Sequence, residues 1–317
     1  MQVFAGLSTK VDPMQSNKWT TLMIAYHNTL TLIDNYSAAQ EALNKALQLA
    51  RKTKAKAKVT ALKINRPNNN LLSRLGLIPE NALDPMLFVK KLINQYQRQG
   101  VEIEVKQINN VKDHIALIDE STRRHYDLII INNQHHSLLK EIMPSRESHL
   151  LRDSALPIMI VGNKHWQPRG HILTALETTE SNFEHNQLNQ SLLDDSQQLS
   201  RLLNSDIHLV NCYQLENWSM AVTADSHHRS DEEQKQQHWQ RLLDKAKHYQ
   251  LKREHLHLEQ GLPDHVIPNV AHKCNANLLV IGAGEHHGLI SELKGHTSAV
   301  IIDQLKCDIL AIKPQLH

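Results

Sequence analysis

The sequence is poor in aromatic side chains, which make up 4% of its 317 residues. So low a content argues against a protein that stacks the bases of single-stranded nucleic acid on aromatic rings. An excess of positive charge is missing as well, because 35 lysines and arginines nearly balance 33 aspartates and glutamates, for a formal net charge of +2. We therefore do not expect the basic surface that nucleic-acid binding requires.

Long apolar runs are also missing, since none approaches the roughly 20 residues that span a bilayer. The first residues lack the charged-then-apolar pattern of a secretory signal. The three cysteines, Cys212, Cys274 and Cys307, are widely separated and form no CxxC pair, as expected of reduced thiols in a cytosol. These absences predict a cytoplasmic protein without a membrane span.

Catalytic motifs are not found either. The sequence contains no HExxH, no nucleophile elbow and no Walker-type GxxxxGK[ST]. Acidic pairs and runs such as Asp194-Asp195 are interpreted as solvated helix faces and as partners of helix N-terminal dipoles. We predict that the protein is not an enzyme.

What the sequence does contain is a regular alternation of short apolar runs with longer amphipathic segments. Near the end of the chain, the apolar run 278–281 is closed by Gly282, and the run 309–312 is stopped by Pro314. Apolar residues recur at helical spacing between these two runs. Buried strands that alternate with helices indicate a parallel sheet covered on both faces, so we predict the α/β class with a doubly wound, Rossmann-like topology.

The same order of elements occurs twice along the chain. Nearly the same number of positions separates Leu22 from Ile158 as separates Ile172 from Ile309, which indicates a tandem duplication. We predict one domain over residues 1–165 and a second over residues 166–317, with a linker near 163–170.

Several boundaries are predicted as well. Residues 21–25 form the expected first strand, so that Tyr26 follows it, and the next helix is expected to be capped by Asp34 or Ser37. Two insertions are expected, at about 66–85 and 215–230. A helix over 232–249 is expected to follow the second insertion.

The loop after the run 278–281 has a recognisable glycine pattern. Gly282 and Gly295 stand at the first and last glycine positions of the pattern G-x2-G-x9-G-[ST], with Glu285 at the middle glycine position. His296 stands at the Ser/Thr position, and Thr297 comes one step later. This loop resembles the nucleotide loop of the universal stress protein family, and the segments 133–138 and 261–268 resemble its tandem-domain members.

The resemblance implies where a nucleotide would bind. In nucleotide-binding relatives, an acidic residue at the end of the first strand faces the adenosine and the glycine loop holds the phosphates. In the second domain Glu177 takes the acidic position, so the candidate cofactor-binding residues are Glu177, Gly282, Gly295, His296 and Thr297. In the first domain that position falls on Tyr26, and residues 132–145 contain no glycine, so that the backbone cannot approach a phosphate closely. We expect no ATP in the first domain.

The second domain leaves two interpretations open. A carboxylate at Glu285 about 4 Å from a phosphate charge would cost about 4 kcal/mol at an effective dielectric of 20. The glycines would then serve only tight turns between strand and helix. We therefore predict no cofactor, with ATP in the second domain as the alternative.

The 22 histidines raise the question of a metal site. His255 and His257 would share one face of a strand, as a zinc site requires, whereas adjacent pairs such as His286-His287 diverge. None of the pairs has a third ligand at a fixed neighbouring spacing. Surface or core histidine is the favoured interpretation, and a structural metal is the remaining one.

Three hypotheses about function follow. The first is a non-enzymatic cytoplasmic stress-response protein that binds a protein partner or a small ligand. In this hypothesis apolar residues of the first insertion cover a cavity, with core packing as their other interpretation: Leu71, Leu72, Leu75, Leu77 and Ile78. The alternative is an ATP/ADP-binding switch with one site in the second domain, and the third is the structural metal. In each case we expect the two domains to pair within the chain, with a homodimer left open.

Overall fold

A computed structural model of the chain describes residues 26–35, 39–53, 57–66, 85–133, 146–178, 183–214, 224–283 and 305–313, and of residues 224–231 it describes the backbone alone. Ten strands lie in these ranges: β1 (Asn28–Leu32), β2 (Lys58–Asn65), β3 (Glu102–Asn109), β4 (Leu128–Asn132), β5 (Ile158–Val161), β6 (His171–Leu176), β7 (Asp206–Tyr213), β8 (Leu256–Gln260), β9 (Ala276–Gly282) and β10 (Asp308–Ile312).

Seven α-helices lie in the same ranges: α1 (Glu41–Lys52), α2 (Pro85–Gln97), α3 (Asp113–Arg123), α4 (Arg146–Asp153), α5 (Phe183–Leu203), α6 (Ala224–His248) and α7 (Pro263–Lys273). A short 3-10 turn, Arg253–His255, precedes β8. Helices and strands alternate in nearly every interval, which is the predicted α/β pattern.

The strands form one ten-stranded sheet in the order β3-β2-β1-β4-β5-β10-β9-β6-β7-β8. Every described strand pair is parallel except β5–β10, which is antiparallel, with Ile160 opposite Ile309 and Ile158 opposite Ala311. We call this antiparallel pair the central junction. Each half of the sheet repeats the same order outward from it, so the two predicted parallel sheets are joined edge to edge into one.

The core occupies both faces of the sheet, because helices cover both. Val59, Ile130 and Leu278 belong to the apolar cluster on one face, under α1, α5 and α6. Leu30 and Ile129 belong to the cluster on the other face. Strands buried on both sides need continuous apolar runs, which is why β4, β5, β9 and β10 were predictable from the sequence.

The first described strand lies further along the chain than predicted. Residues 21–25 lie outside the described residues, and β1 begins at Asn28, in parallel register with β2 and β4. Tyr26 therefore precedes β1 and does not follow it, and its side chain is buried. The prediction that Tyr26 takes the acidic position was wrong, because the threonine-containing strand Asn28–Leu32 is less apolar than the run before it.

Two helix starts also differ from the predictions. Helix α1 begins after Gln40, which has a left-handed φ of 49° and whose side chain makes no capping hydrogen bond. Gln40 and not Asp34 is therefore the N-cap residue, and Ser37 lies outside the described residues. The Gln40 side chain accepts from the backbone N–H of Asp34 and donates to its carbonyl. Helix α6 begins at Ala224, inside the predicted second insertion, so that insertion is in part helical.

Candidate functional site

Two of the predicted site residues meet at the carboxyl ends of β6 and β9. Glu177 directly follows β6, Gly282 ends β9, and the two strands are parallel neighbours. Both residues line a small cavity of about 10 Å³, together with His185 and the apolar side chains of Ala175, Leu188 and Leu192. The predicted Gly295, His296 and Thr297, and also Glu285, lie outside the described residues.

Helix α5 fixes the position of Glu177. Asn189 Nδ2 donates a 2.7 Å hydrogen bond to the backbone carbonyl of Glu177. The Nε2 atom of His185, a residue with 5% exposure, lies 3.9 Å from Glu177 Oε2. An imidazole beside the carboxylate gives it a partner of opposite charge whenever the ring is protonated.

A buried polar cluster holds the residues next to Glu177. Thr178 Oγ1 donates to Asn211 Oδ1 at 3.1 Å, and His238 Nδ1 lies 3.2 Å from the same hydroxyl. Arg241 of α6 donates to the carbonyl of Thr178 at 2.7 Å. Burial, and after it the charge of Arg241, lower the pKa of His238, so the ring is neutral at neutral pH.

The size of the second-half cavity decides what its described residues can hold. A volume of about 10 Å³ is close to the minimum for a single water molecule. A nucleobase is far larger. The part of this site that the structure describes is therefore not a nucleotide-sized pocket.

A second cavity lies at the corresponding place in the first half. It has a volume of about 30 Å³ and is lined by Asp34, Arg66, Asp113, Asn132 and Arg146, among others. Asp34 Oδ2 accepts a hydrogen bond from Asn132 Nδ2 at 3.3 Å. Arg66 and Arg146 both pair with Asp113, so charged side chains that line this cavity are paired with one another.

Asp34 is the acidic residue that the sequence analysis missed. It follows Leu32 and Ile33 at the end of the first strand, as Glu177 follows Leu176 at the end of β6. The similarity of the segments 29–34 and 172–177, TLTLID and ILTALE, was the signal that could have identified it. A carboxylate thus stands after the first strand of both halves.

The described residues include all three cysteines and also His255 and His257. Cys212, Cys274 and Cys307 are free thiols, and burial, then the charge of Asp308, raises the pKa of Cys307 to about 12. His255 ends the 3-10 turn and only His257 lies in β8, so the prediction that both lie on one strand was wrong. In the described ranges, no three His, Cys, Asp or Glu side chains are arranged to hold a metal ion.

No helix in the described part of the chain combines the length and the apolar character that a membrane crossing requires.

Comparison with known proteins matches both halves of the chain to the same family. The model of the universal stress protein family matches residues 25–162 and again 183–313. The chain is 27% identical over 308 residues to Universal stress protein E of Escherichia coli K12, covering 93% of this chain and 96% of that protein. It is 26% identical to Universal stress protein E of Photorhabdus laumondii, covering 92% of this chain and 96% of that relative.

Solved structures agree on the fold. A protein of unknown function from Pseudomonas aeruginosa PAO1 is 22% identical, with a TM-score of 0.69 over 92% of this chain and 93% of that one. A universal stress protein from Archaeoglobus fulgidus is 16% identical, with a TM-score of 0.56 over 90% of this chain and 96% of that one. With the family model matched twice along one continuous sheet, the chain belongs to the universal stress protein family as a tandem-domain member.

Proposed function

We propose that this protein is a non-catalytic, cytoplasmic stress-response protein that acts by binding a protein partner or a small ligand, without a cofactor. The observation that carries the proposal is the ion network in the first half, where Asp113 pairs with both Arg66 and Arg146 in the lining of a cavity of about 30 Å³. Together with the small second-half cavity, this network favours binding that does not depend on a nucleotide.

Native mass spectrometry of the purified full chain tests this proposal. The expected result is a mass above that of the denatured chain, from a retained small molecule or a stoichiometric protein, and organic extraction should remove a small molecule. Repeated preparations that show only the mass of the bare chain, in single or multiple copies, would contradict the proposal.

A matched pair of glycine variants locates a small ligand. Gly282→Ala adds a methyl group to a cavity of about 10 Å³, whereas Gly162→Ala adds one where no atom lies within 4 Å. A ligand held at the carboxyl edge of the second half should be lost from the first variant and kept in the second. Equal retention in both variants would place the ligand elsewhere.

The alternative proposal is an ATP/ADP switch with one site in the second domain. It is favoured by the meeting of Glu177 and Gly282 at adjacent strand ends, which is where open α/β sheets bind ligands. The predicted Gly295, His296 and Thr297 would complete this site. Calorimetry with ATP, ADP and AMP at millimolar concentration and with Mg²⁺ tests it, and the absence of binding heat would exclude it.

Variants in the glycine loop test whether the second domain lacks an ATP site or has one from which Glu285 repels the ligand. Glu285→Gly restores the family pattern and removes the repulsive carboxylate, and His296→Ser adds a hydroxyl contributing about 0.5–1.5 kcal/mol. The double variant should bind ATP more tightly than either single variant, and Gly295→Val should abolish the gain. A folded double variant that stays inert would show that the loop is not what prevents binding.

A further inference from the structure

Four histidines that are far apart in the sequence meet on one face of the second half. His208 lies on β7, His171 begins β6, His257 lies on β8, and His255 ends the 3-10 turn before it. The parallel register of β6, β7 and β8 brings these positions together. All four side chains are buried or half-buried.

The rings are arranged as a chain with His208 in the centre. His208 Nδ1 lies 3.0 Å from His257 Nε2, and His208 Nε2 lies 3.1 Å from His171 Nδ1. The His255 ring stacks on His208 with centroids 4.2 Å apart. Both nitrogens of the central ring are thus used, and both distances are hydrogen-bond distances.

The two ring-to-ring contacts limit how many protons the three linked histidines can bind. With all rings neutral, each contact has one N–H and one lone pair, because a neutral imidazole has one of each. One extra proton on any of the three rings still leaves one donor and one acceptor at each contact. A second extra proton places two N–H groups face to face in at least one contact.

We propose that the chain His171–His208–His257 is an acid sensor that tolerates a single extra proton, and that further protonation opens the edge strand β8. In the described sheet β8 pairs with β7 alone, so it is the strand that such a break would release. His257 also lines an open groove of about 410 Å³ with Trp239 at this edge. Acid would therefore change the shape of this groove.

Burial, more than the neighbouring charges, opposes protonation of the linked histidine rings. Burial, then the charges of His255, His171 and His257, lower the pKa of His208 to about 4, and Asp206 acts in the opposite direction. Burial also lowers the pKa of His257, against Glu259 and with Lys273 of α7. The Glu254 carboxylate lies 3.8 Å from His255 Nε2. Because the folded-state values lie below the ordinary 6.5, stability is present above pH 6.5 and is lost as pH falls below it.

Amide hydrogen exchange on the full chain between pH 7 and pH 5, corrected for intrinsic rates, tests the sensor. One linked proton changes an opening constant by about tenfold per pH unit, and two change it by about a hundredfold. The β8 amides should therefore open at least about tenfold more per pH unit below about pH 6, while the β2 amides of the other half change much less. A pH-independent opening of β8 would overturn the proposal.

Variants test whether the pH response of β8 depends on the central His208 ring. His208→Leu should flatten the response of β8, whereas His265→Gln, at an exposed histidine of α7, should leave it unchanged. If His208→Leu does not fold, imidazole nitrogen NMR of the wild-type chain decides. Titration of His257 together with His208, below pH 6.5, supports the sensor, and independent titrations of these two rings near 6.5 refute it.

Discussion

Two opposite charges are fully enclosed where α1 of the first half meets β10 of the second. Lys45 Nζ lies 3.0 Å from Asp308 Oδ2, and both side chains have 0% exposure. Lys45 also donates to the carbonyl of Lys164 at 2.8 Å, and Asp308 Oδ1 accepts from the backbone N–H of Gly162 at 3.0 Å. Each charge is thus compensated by hydrogen bonds as well as by its partner.

Removal of one member of this pair should destabilise the protein strongly. Asp308→Ala leaves the Lys45 ammonium buried without its counter-ion, and such a change costs about 3–5 kcal/mol. Urea unfolding should measure that loss in the free energy of unfolding. The double variant Lys45→Met with Asp308→Asn should recover most of it, because it has no buried charge and keeps an acceptor for Gly162. A loss below 1 kcal/mol in Asp308→Ala would contradict this account.

For Asp195 on α5 we expect an effect of pH on stability that is opposite in sign to the effect of the histidine chain. Burial, opposed by the Tyr26 hydroxyl and reinforced by the charge of Asp194, raises the pKa of Asp195 to about 6. A carboxyl group whose folded pKa is raised binds its proton more tightly in the folded state. Its contribution to stability is therefore present below its ordinary pKa and is lost as pH rises through about 6.

Asp195→Asn removes the loss of stability that comes from ionising this buried carboxyl group at high pH. The variant should be more stable than the wild type at pH 8 by about 1–3 kcal/mol, from 1.36 kcal/mol per pKa unit reduced for partial solvation, and the difference should nearly vanish at pH 4. Thermal unfolding at the two pH values measures it. Asp244→Asn, on an exposed side chain of α6, should change neither value, and an equal gain at both pH values would exclude titration as the cause.

At the residue scale, sequence reasoning placed Glu177 and Gly282 of the second half at the ends of their strands, but it missed Asp34 of the first half. Glu177 and Gly282 were predictable because each follows a clear apolar run. Asp34 was missed because the preceding strand contains Thr29 and Thr31, which made residues 21–25 look more like a strand. The two threonines are fully buried in β1, so packing between β2 and β4 outweighed their polarity.

At the scale of elements, the connection into β6 depends on a glycine. A Cβ atom built at Gly170 would lie 1.8 Å from Nδ2 of Asn277. Asn277 is buried, and its Nδ2 donates to the carbonyl of Gln167 at 3.0 Å. The Asn277 side chain therefore connects the start of β9 to the residues before β6, and it leaves no room for a side chain at position 170.

Gly170→Ala should destabilise the protein by about 1–3 kcal/mol through overpacking. Asn277→Ala removes the clashing atoms, so the double variant should be less destabilised than the sum of the two single variants. A double-mutant cycle in urea measures this coupling. The control is Gly162→Ala, which meets no atom within 4 Å. Additive effects of the two changes would show that the clash is relieved in another way.

The elements also show why the histidine chain could not be found from the sequence. His171, His208 and His257 come from three strands, and the register of β6, β7 and β8 places each of the outer two diagonally across from His208, two positions out of line. Register depends on which face of each strand is buried and on the geometry of the connections, and neither is evident when each histidine is considered within its own segment. A signal was present, however, since each of these histidines lies near the start of its strand.

At the scale of the whole molecule, the central junction makes each half dependent on the other. The residues of β5 are all buried, and β10 covers one of its edges. The first half alone would expose this edge and leave Lys45 without Asp308. Exposed apolar edge strands pair with other chains.

A chain limited to residues 1–165 should therefore associate. Light scattering coupled to size exclusion is expected to show dimers or larger species, with the full chain measured alongside as the reference. Met159→Lys in the short chain should reduce the association, because a charge on an edge strand opposes pairing. A stable monomer of residues 1–165 would contradict the dependence of the halves on each other.

The position of β10 also has a consequence for biosynthesis. It is the last described strand along the chain, yet it lies in the middle of the sheet between β5 and β9. During synthesis from the amino terminus, domains generally fold as units as they emerge, but here the edges of β5 and β9 stay uncovered until residues 308–312 leave the ribosome. A nascent chain interrupted just before these residues would present both apolar edges at once, and it would be a natural substrate for chaperones.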